Sequence, residues 1–304
     1  MHSSDSQKKL SRRSLLKSAA AATAGAATFS QLEVTRAETQ TTVDVVVIGA
    51  GAAGTMAATH FSKAGKSVAL LEANDRVGGR LKRGEIAGQA IDLGGQWVGP
   101  SQTRALEIGK ELGLTPYATH AKGPFLIEQG GTFYKGFGLP TDAMTDLFKV
   151  IGAIDTLGKE IPLNARWTAP RAAEWDAMTA QTWIDQTTES PIVRDVFRAV
   201  VQAVFSIEPS QLSLLEFLWY VRSGNGFNDI TGTAGGAQDS LYVEAFVSIP
   251  ERLAESLGDR VVLGSPVRKI TQTDSGVTVV ADKGTWQAQR VVVCAPPPSV
   301  ARIE

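Results

Sequence analysis

Residues 42–80 read TVDVVVIGAGAAGTMAATHFSKAGKSVALLEANDRVGGR, and this stretch decides the fold of the chain. Residues 43–48 are almost all β-branched, which is typical of a parallel strand buried on both faces. Glycines follow at positions 49, 51 and 54, the GxGxxG spacing of a strand-to-helix turn that approaches a dinucleotide. We therefore predict a βαβ unit of the α/β class with a nucleotide at its first turn.

Each glycine of this turn has a separate physical reason. Gly49 permits the tight turn, Gly51 lets the backbone approach a pyrophosphate, and Gly54 lets the helix pack closely on the strand. The helix N-terminus carries partial positive charge, which favours phosphate oxygens. The residues assigned to this cofactor-binding turn are Gly49, Gly51, Ala53 and Gly54.

The next helix and strand place an acidic residue beside the same turn. We predict the helix over residues 52–63, with Gly65 at its C-terminal end, and a strand over residues 67–71. Glu72 follows that strand, at the spacing where a carboxylate accepts hydrogen bonds from an adenosine ribose. Glu72 and the adjoining Ala73 therefore join the predicted cofactor site, and a glycine-rich turn without a ligand is the alternative.

The composition narrows the chemistry of the chain. Its 304 residues are enough for two domains, and 43% of them are hydrophobic. Cys294 is the single cysteine, which excludes an intramolecular disulfide and argues against a thiolate metal site. We predict no metal, so redox chemistry requires a bound organic cofactor.

The N-terminus is typical of an export signal. Residues 11–17 read SRRSLLK, with Arg12 and Arg13 adjacent, and an alanine-rich apolar stretch follows. Residues 35–37 provide a small-residue cleavage site. We predict a twin-arginine signal peptide over residues 1–37 and a periplasmic or extracellular mature protein. A transmembrane helix is the alternative, but the apolar stretch is short, so we expect no stable membrane span.

The charge of the mature chain argues against polyanionic partners. Residues 1–37 contain six of the 30 basic and two of the 31 acidic residues, which leaves 24 against 29 and a formal charge of −5. The sequence shows no clustered basic face with interleaved aromatic residues. We therefore expect neither nucleic acid nor an anionic membrane surface as a partner.

A second glycine pair follows Glu72. Arg76 and Arg80 flank Gly78 and Gly79, an arrangement that favours backbone held close to phosphate with guanidinium groups beside it. We assign Arg76, Gly79 and Arg80 to the cofactor site. A solvated basic turn is the alternative.

A third glycine element comes after a strand predicted over residues 90–93. The strand leads into Gly94 and Gly95, and Ser101 is the predicted N-cap of a helix that ends near Gly113. The residues of this element that we consider for the cofactor site are Gly94, Gly95, Gln96 and Trp97.

Seven segments of the chain occur in an order typical of one family. They read LLEANDRVGGR, DLGGQWVGPSQ, ARWTAPRAAEWDAMT, FLWYVRSGNG, GGAQ, LGDRVVLGSPVRKI and VVVCAPP. From residue 43 to the last residue the chain resembles the flavin-containing amine oxidases, and among them most closely the monoamine oxidases. The resemblance implies a GR2-type flavoprotein, in which a Rossmann-like FAD-binding domain carries a mainly helical substrate domain.

The composition changes twice along the chain and predicts a discontinuous domain. Strand patterns give way after residue 116 to a hairpin at Gly130 and Gly131 and then to helices, and strand patterns return near residue 243. We predict an FAD-binding domain over residues 42–116 and 243–304, and an incomplete substrate domain over residues 117–242. The aromatic residues expected in the core of the second domain are Trp167, Trp175, Trp183, Trp219 and Tyr220.

The resemblance also assigns roles to single residues. It implies that Val267 offers backbone groups to the adenine and that Trp97 lies near the flavin ring. Trp97 and Gln238 would contact the substrate, although a surface amide is an equal alternative for Gln238. Two positions depart from the family: residues 243–247 read VEAFV where a glycine-rich turn is usual, and Asn74 replaces a frequent arginine. The departures predict altered local geometry and a weaker phosphate contact.

The reaction implied by the resemblance is oxidation of a primary or secondary amine to an imine, then to an aldehyde and ammonia. Dioxygen would be reduced to hydrogen peroxide, and a homodimer is possible for the family. An FAD oxidoreductase acting on an amino acid or a polyene is one alternative, and a truncated, non-catalytic FAD-binding fragment is another. The catalytic residues are expected beyond Glu304, so we expect these 304 residues alone to bind FAD weakly and to form no peroxide.

Overall fold

The computed structural model describes residues 40–124, 126–136 and 138–304, and the predicted signal peptide lies outside them. The strands are β1 (Gln40–Ile48), β2 (Val68–Leu71), β3 (Arg83–Ile86), β4 (Gln89–Asp92), β5 (Pro116–Ala118), β6 (Leu126–Gln129), β7 (Thr132–Lys135), β8 (Ser240–Tyr242), β9 (Val261–Val262), β10 (Val267–Thr273), β11 (Gly276–Ala281) and β12 (Gly284–Val293). The helices are α1 (Ala52–Lys63), α2 (Thr103–Glu111), α3 (Thr141–Gly158), α4 (Ala172–Ala177), α5 (Ala180–Thr187), α6 (Pro191–Phe205), α7 (Leu214–Ser223), α8 (Phe227–Thr231), α9 (Ser248–Leu257) and α10 (Pro297–Val300).

A six-stranded sheet with the order β10-β11-β12-β1-β2-β9 forms the base of the molecule. β1 pairs in parallel with both β12 and β2, and β9 extends β2 in parallel. Val46 and Ile48 point into one core with Trp286, whereas Val45 and Val47 point into another with α1. The first strand is therefore buried on both faces, and the prediction of an α/β fold is confirmed.

The strands of this sheet come from the two ends of the described chain. β1 and β2 precede residue 72, and β9–β12 follow residue 260. A discontinuous sheet domain agrees with this arrangement, but its predicted limits at residues 116 and 243 stay predictions.

Of two local predictions near residue 100, the strand is confirmed and the helix cap is wrong. The strand expected over residues 90–93 is β4, which pairs with β3 in a separate two-stranded sheet. Helix α2 begins at Thr103 with Gln102 in the N-cap position, so Ser101 is not its cap. The Gln102 side chain instead accepts a hydrogen bond from the Gly99 N–H at 2.9 Å.

The segment between the two halves of the sheet is mainly helical and has its own core. Trp175, Phe217 and Ile154 are fully buried there, and Trp183 packs beside them. The two predicted caps form: Ser190 accepts from Val193 N–H at the start of α6, and Ser213 accepts from Glu216 N–H at the start of α7. Helix-start signals of this kind depend on neighbouring residues alone, so the sequence is sufficient to predict them.

Trp167 does not belong to this core. Its side chain is 72% exposed, although we expected a buried aromatic residue. The neighbouring Arg166 lies over the Trp219 ring, 4.6 Å from its centroid, and pairs with Glu216 at 2.9 Å. Trp167 therefore lies on the protein surface, next in the chain to an ion-paired arginine.

Among residues 40–124, 126–136 and 138–304, no helix combines the length and the apolar character needed to cross a bilayer.

Candidate functional site

The first glycine turn is held by backbone contacts. Gly49 follows β1 with φ = 98°, and its N–H donates to the Leu71 carbonyl at 2.8 Å. A Cβ atom placed on Gly54 would lie 1.7 Å from the Gly49 carbonyl oxygen. Any side chain at position 54 is thus excluded by the turn itself, which is the close helix packing predicted from the spacing.

Gly51 lacks such an internal reason to be glycine. Its φ is −75°, an ordinary value for any residue, and a Cβ atom there would meet only the Gly78 carbonyl oxygen, at 3.9 Å. A glycine with ordinary backbone angles and open space fits a position where a ligand approaches the backbone. Ala53 is exposed in the first turn of α1, beside this open surface.

The second glycine pair lies directly against the first turn. Gly51 and Gly78 form a parallel bridge, and Gly78 N–H donates to the Ala50 carbonyl at 2.8 Å. A Cβ atom on Gly79 would lie 3.5 Å from the Gly51 Cα atom. The two turns therefore form one backbone surface beside the N-terminus of α1.

Glu72 is buried at the edge of this surface, with 5% of the residue exposed. One carboxylate oxygen accepts from Ala50 N–H at 2.7 Å, and the other accepts from Asn74 N–H at 2.9 Å and from its side-chain amide at 2.7 Å. Asn74, at the position where an arginine is frequent in the family, therefore orients the Glu72 carboxylate, and its side-chain amide adds one of the hydrogen bonds. Ala73 is exposed between the two.

The two arginines of the second turn differ in their contacts. Arg76 donates to the carbonyl oxygens of Val77, Gly79 and Leu81 at 2.9–3.0 Å, so its guanidinium group braces the turn. Its phosphate contact stays a prediction, and these three bonds favour a structural role. Arg80 is exposed next to Gly79.

The third glycine element packs on the second. A Cβ atom on Gly94 would lie 2.0 Å from the Arg80 carbonyl oxygen, and Gly95 N–H donates to that oxygen at 3.4 Å. The glycine elements at residues 49–54, 78–79 and 94–95 therefore form a continuous series, which we call the glycine turns. Gln96 follows them and is half-buried.

The VEAFV segment lies beside the third element and keeps a glycine-like backbone. Ala245 has φ = 66°, and the next residue, Phe246, donates its N–H to both oxygens of Asp92 at 2.9 and 3.1 Å. Burial raises the pKa of Asp92, while the Phe246 and Val247 N–H groups and the Arg83 charge oppose that shift. The predicted change of geometry at this segment stays a prediction; the left-handed angle at Ala245 is a source of backbone strain.

Val267 is connected to Glu72 through the segment between β9 and β10. Ser265 N–H donates to the Glu72 carbonyl at 2.8 Å, and Val267 begins β10 two residues later at an irregularity of the pairing with β11.

Cys294 lies under the first turn, where its Cβ atom is 3.4 Å from a Cβ atom placed on Gly54, and burial raises the pKa of its thiol. In the described part of the chain, no group of three or more His, Cys, Asp or Glu side chains could hold a metal.

Trp97 links the glycine turns to a cavity of about 1040 Å³. Val98 and Ser240 exchange hydrogen bonds at 2.9 and 3.0 Å, and a Cβ atom on Gly99 would lie 2.3 Å from the Gly236 carbonyl oxygen. These contacts bring Trp97 and Gln238 to the same cavity, and their role as substrate contacts stays a prediction. The Gln238 amide is not a free surface group, because it donates to the Ile230 carbonyl at 2.9 Å.

The cavity wall opposite Trp97 and Gln238 comes from one face of α6. The sequence analysis did not predict this face as part of the site. Helix α6 buries Val193, Phe197 and Val201 in the helical core and turns a second apolar face to the cavity. The signal was the presence of two apolar faces on one helix. The apolar residues lining the cavity are Leu126, Ile127, Ile192, Val196, Ala199, Val200, Ala203, Val204, Tyr220, Ile230 and Ala237, and the carboxylates lining it are Glu128 and Asp195.

Three glycine turns beside an apolar cavity are typical of nucleotide-binding enzymes, and comparison with known proteins identifies the class of this chain. The family model described as flavin containing amine oxidoreductase matches residues 52–304. The chain therefore belongs to the flavin-containing amine oxidoreductase family. Family membership confirms the oxidoreductase class and the prediction of a flavin as the family's cofactor.

The relatives extend beyond the length of this chain. A putative flavin-containing monoamine oxidase AofH of Mycobacterium tuberculosis is 33% identical over 279 residues, which are 90% of this chain and 62% of that protein. A flavin-containing amine oxidase of Oncorhynchus mykiss is 37% identical over 266 residues, 85% of this chain and 51% of that one. The chain thus spans about half to three fifths of these relatives.

Two solved structures share the fold. Wild-type putrescine oxidase bound to putrescine has a TM-score of 0.81 at 29% identity, over 87% of this chain and 60% of the other. The cyclohexylamine oxidase of Brevibacterium oxydans has a TM-score of 0.81 at 31% identity, over 86% and 60% of the two chains.

Proposed function

We propose that this chain binds FAD along the glycine turns. The observation that carries the proposal is Gly51, where the backbone is open although neither its φ nor its packing requires glycine. The surface at Gly51 and Gly79 would take the pyrophosphate beside the N-terminus of α1, and Glu72 would accept from the ribose. Backbone groups at Val267 would contact the adenine.

We further propose that the protein oxidises a primary or secondary amine to an imine, which water converts to an aldehyde and ammonia or an amine. Bound FAD would supply the hydride acceptor, and dioxygen would be reduced to hydrogen peroxide. Trp97 would flank the ring, with Gln238 beside it. The apolar face of α6 would desolvate the amine and so favour its uncharged form, which is the form that can lose a hydride.

The first experiment tests FAD binding independently of turnover. The purified 304-residue chain is titrated with FAD and its affinity is measured by flavin fluorescence, with Glu72→Ala as the variant and exposed Glu85→Ala as the matched control. We expect Glu72→Ala to weaken binding by about 1.5–3 kcal/mol, because a charged acceptor is lost. Equal affinity in both variants, or binding of NAD in place of FAD, would overturn the proposal.

The second experiment separates the possible reactions. Hydrogen peroxide is measured with simple amines and with amino acids as substrates. Amine-dependent peroxide supports the oxidase, and activity with amino acids alone supports the alternative oxidoreductase. The chain spans only part of its relatives, so FAD binding without peroxide would support a binding fragment instead.

We also propose export by the twin-arginine route to the periplasm or beyond. The support is the adjacent pair Arg12 and Arg13, the weakly apolar stretch after it and the cleavage site at residues 35–37. Changing both arginines to lysine should retain the precursor in the cytoplasm, as seen by cell fractionation. Unchanged export of the double variant would rule this route out. The homodimer stays a prediction.

A further inference from the structure

Thr119 occupies a fixed position on the cavity wall. It follows β5, which pairs with β8, and its N–H donates to the Asp239 carbonyl at 2.8 Å. Asp239 is itself held, because its carboxylate accepts from Gly235 N–H and from the Ser240 hydroxyl, both at 2.7 Å. Thr119 lines the same cavity as Trp97. The backbone that carries Thr119 is therefore anchored to the segment that carries Gln238.

The hydroxyl of Thr119 lacks a partner. Among the buried side-chain nitrogen and oxygen atoms of the described residues, the Thr119 Oγ1 atom is the one without a hydrogen bond. Burying a hydroxyl without a compensating hydrogen bond costs free energy. An unsatisfied group of this kind calls for a physical explanation, such as a ligand or a water that completes it.

Three other polar side chains around the cavity have hydrogen-bond partners within the protein. The Thr231 hydroxyl donates to the Phe227 carbonyl at 2.8 Å, and the Ser223 hydroxyl donates to the Tyr220 carbonyl at 2.8 Å. Gln238 donates to the Ile230 carbonyl, as described above. Thr119 differs from these three side chains, because its buried hydroxyl has no partner within the protein and keeps its full hydrogen-bonding capacity for a ligand. A change of the Thr119 χ1 rotamer would be needed for the buried oxygen to face the cavity.

We propose that the Thr119 hydroxyl binds a second polar group of the amine and so determines specificity for amines that carry a remote hydroxyl. This inference rests on the proposed function, since it assumes that the cavity takes an amine. The α6 face opposite is apolar, so the carbon chain between the two polar ends of such a substrate would pack against it. An unsubstituted alkyl amine would leave Thr119 unsatisfied and would lose that hydrogen bond.

The test compares two probes that differ by one hydroxyl, hexylamine and 6-aminohexan-1-ol. Their affinities for the FAD-loaded chain are measured by titration calorimetry, which requires no turnover. The variants are Thr119→Val, which keeps the side-chain shape without the hydroxyl, and Thr119→Ser, which keeps the hydroxyl. We expect the wild type to prefer the amino alcohol by about five- to tenfold, as one hydrogen bond provides.

Thr119→Val should abolish that preference and Thr119→Ser should retain it. The melting temperature of Thr119→Val should be no lower than that of the wild type, because the variant removes a buried group without a partner. Equal affinity of the wild type for both probes, or an undiminished preference in Thr119→Val, would overturn the role of Thr119 alone. Binding of neither amine to the wild type would instead overturn the amine site itself, and this inference with it.

Discussion

The glycine turns are formed by backbone atoms from residues 49–95, whereas the cavity wall collects side chains from elements spread over residues 97–238. In the first region, short spacing in the sequence fixes which atoms meet, and the sequence predicts the arrangement. In the second, the arrangement depends on how helices pack. Each region nevertheless contains a pair of nearby residues of the same amino-acid type. One member of each pair maintains the fold, and the other faces the open site.

Gly54 and Gly51 are the pair in the glycine turns, and they carry the largest predicted difference. Gly54→Ala places a Cβ atom against the Gly49 carbonyl, so helix α1 must move. We expect it to lower the free energy of unfolding by about 3 kcal/mol, as overpacking of rigid backbone does. Chemical denaturation followed by circular dichroism measures this loss.

Gly51→Ala is the matched control for the same turn. Its Cβ atom has space, so we expect a stability change below about 1 kcal/mol. Its affinity for FAD should fall at least about tenfold, because the methyl group occupies the surface that the pyrophosphate approaches. A stable Gly51→Ala protein with wild-type FAD affinity would break the distinction between the two glycines.

Val193 and Val196 are the corresponding pair on α6. Val193 is 1% exposed in the helical core, whereas Val196 is partly exposed at the cavity. We expect Val193→Ala to lower the free energy of unfolding by about 2 kcal/mol and Val196→Ala by less than about 1 kcal/mol. Denaturation curves measure both values.

Val193→Ala and Val196→Ala should also differ in their effect on the affinity for an amine. Val196→Ala removes apolar surface from the cavity wall and should weaken hexylamine binding about threefold, at roughly 25 cal/mol per Å² of apolar area lost. Val193→Ala should leave that affinity unchanged. If Val193→Ala altered amine affinity more than Val196→Ala, the assignment of the two faces of α6 would be wrong.

Local signals predicted the elements that depend on adjacent residues. Spacing and side-chain type predict the βαβ unit, the cap at Ser190 and the burial of the parallel strand β1 on both faces. The structure contains all three. The β3–β4 hairpin was missed because its turn, Ala87 and Gly88, has left-handed angles without the Asn-Gly or Asp-Gly pair that marks such turns.

Predictions that depend on tertiary contacts were less successful. The exposure of Trp167 has no signal in the sequence, since an aromatic residue in a helical segment is compatible with core and surface alike. The cavity face of α6 requires knowing what packs on the other side. Thr119 could not be distinguished from other threonines, because a missing hydrogen-bond partner is a property of the folded surroundings.

The smallest predicted effect is at Ala245, in the VEAFV segment beside the glycine turns. It tests whether a left-handed backbone angle in this part of the protein requires glycine. Its φ of 66° lies where a Cβ atom contacts its own backbone, yet the Asp92 carboxylate still receives the Phe246 N–H that this angle presents. Ala245→Gly should therefore raise the free energy of unfolding by about 0.5–1 kcal/mol, the strain released less the added flexibility of the unfolded chain. Ala58→Gly, in the interior of α1, is the control and should lower the free energy of unfolding by about 1 kcal/mol, since a helical angle suits alanine. Denaturation midpoints of the two variants then move in opposite directions. A loss of stability in Ala245→Gly would mean that the Asp92 contact holds the VEAFV segment without strain, and that this departure from a glycine-rich turn is neutral for the fold.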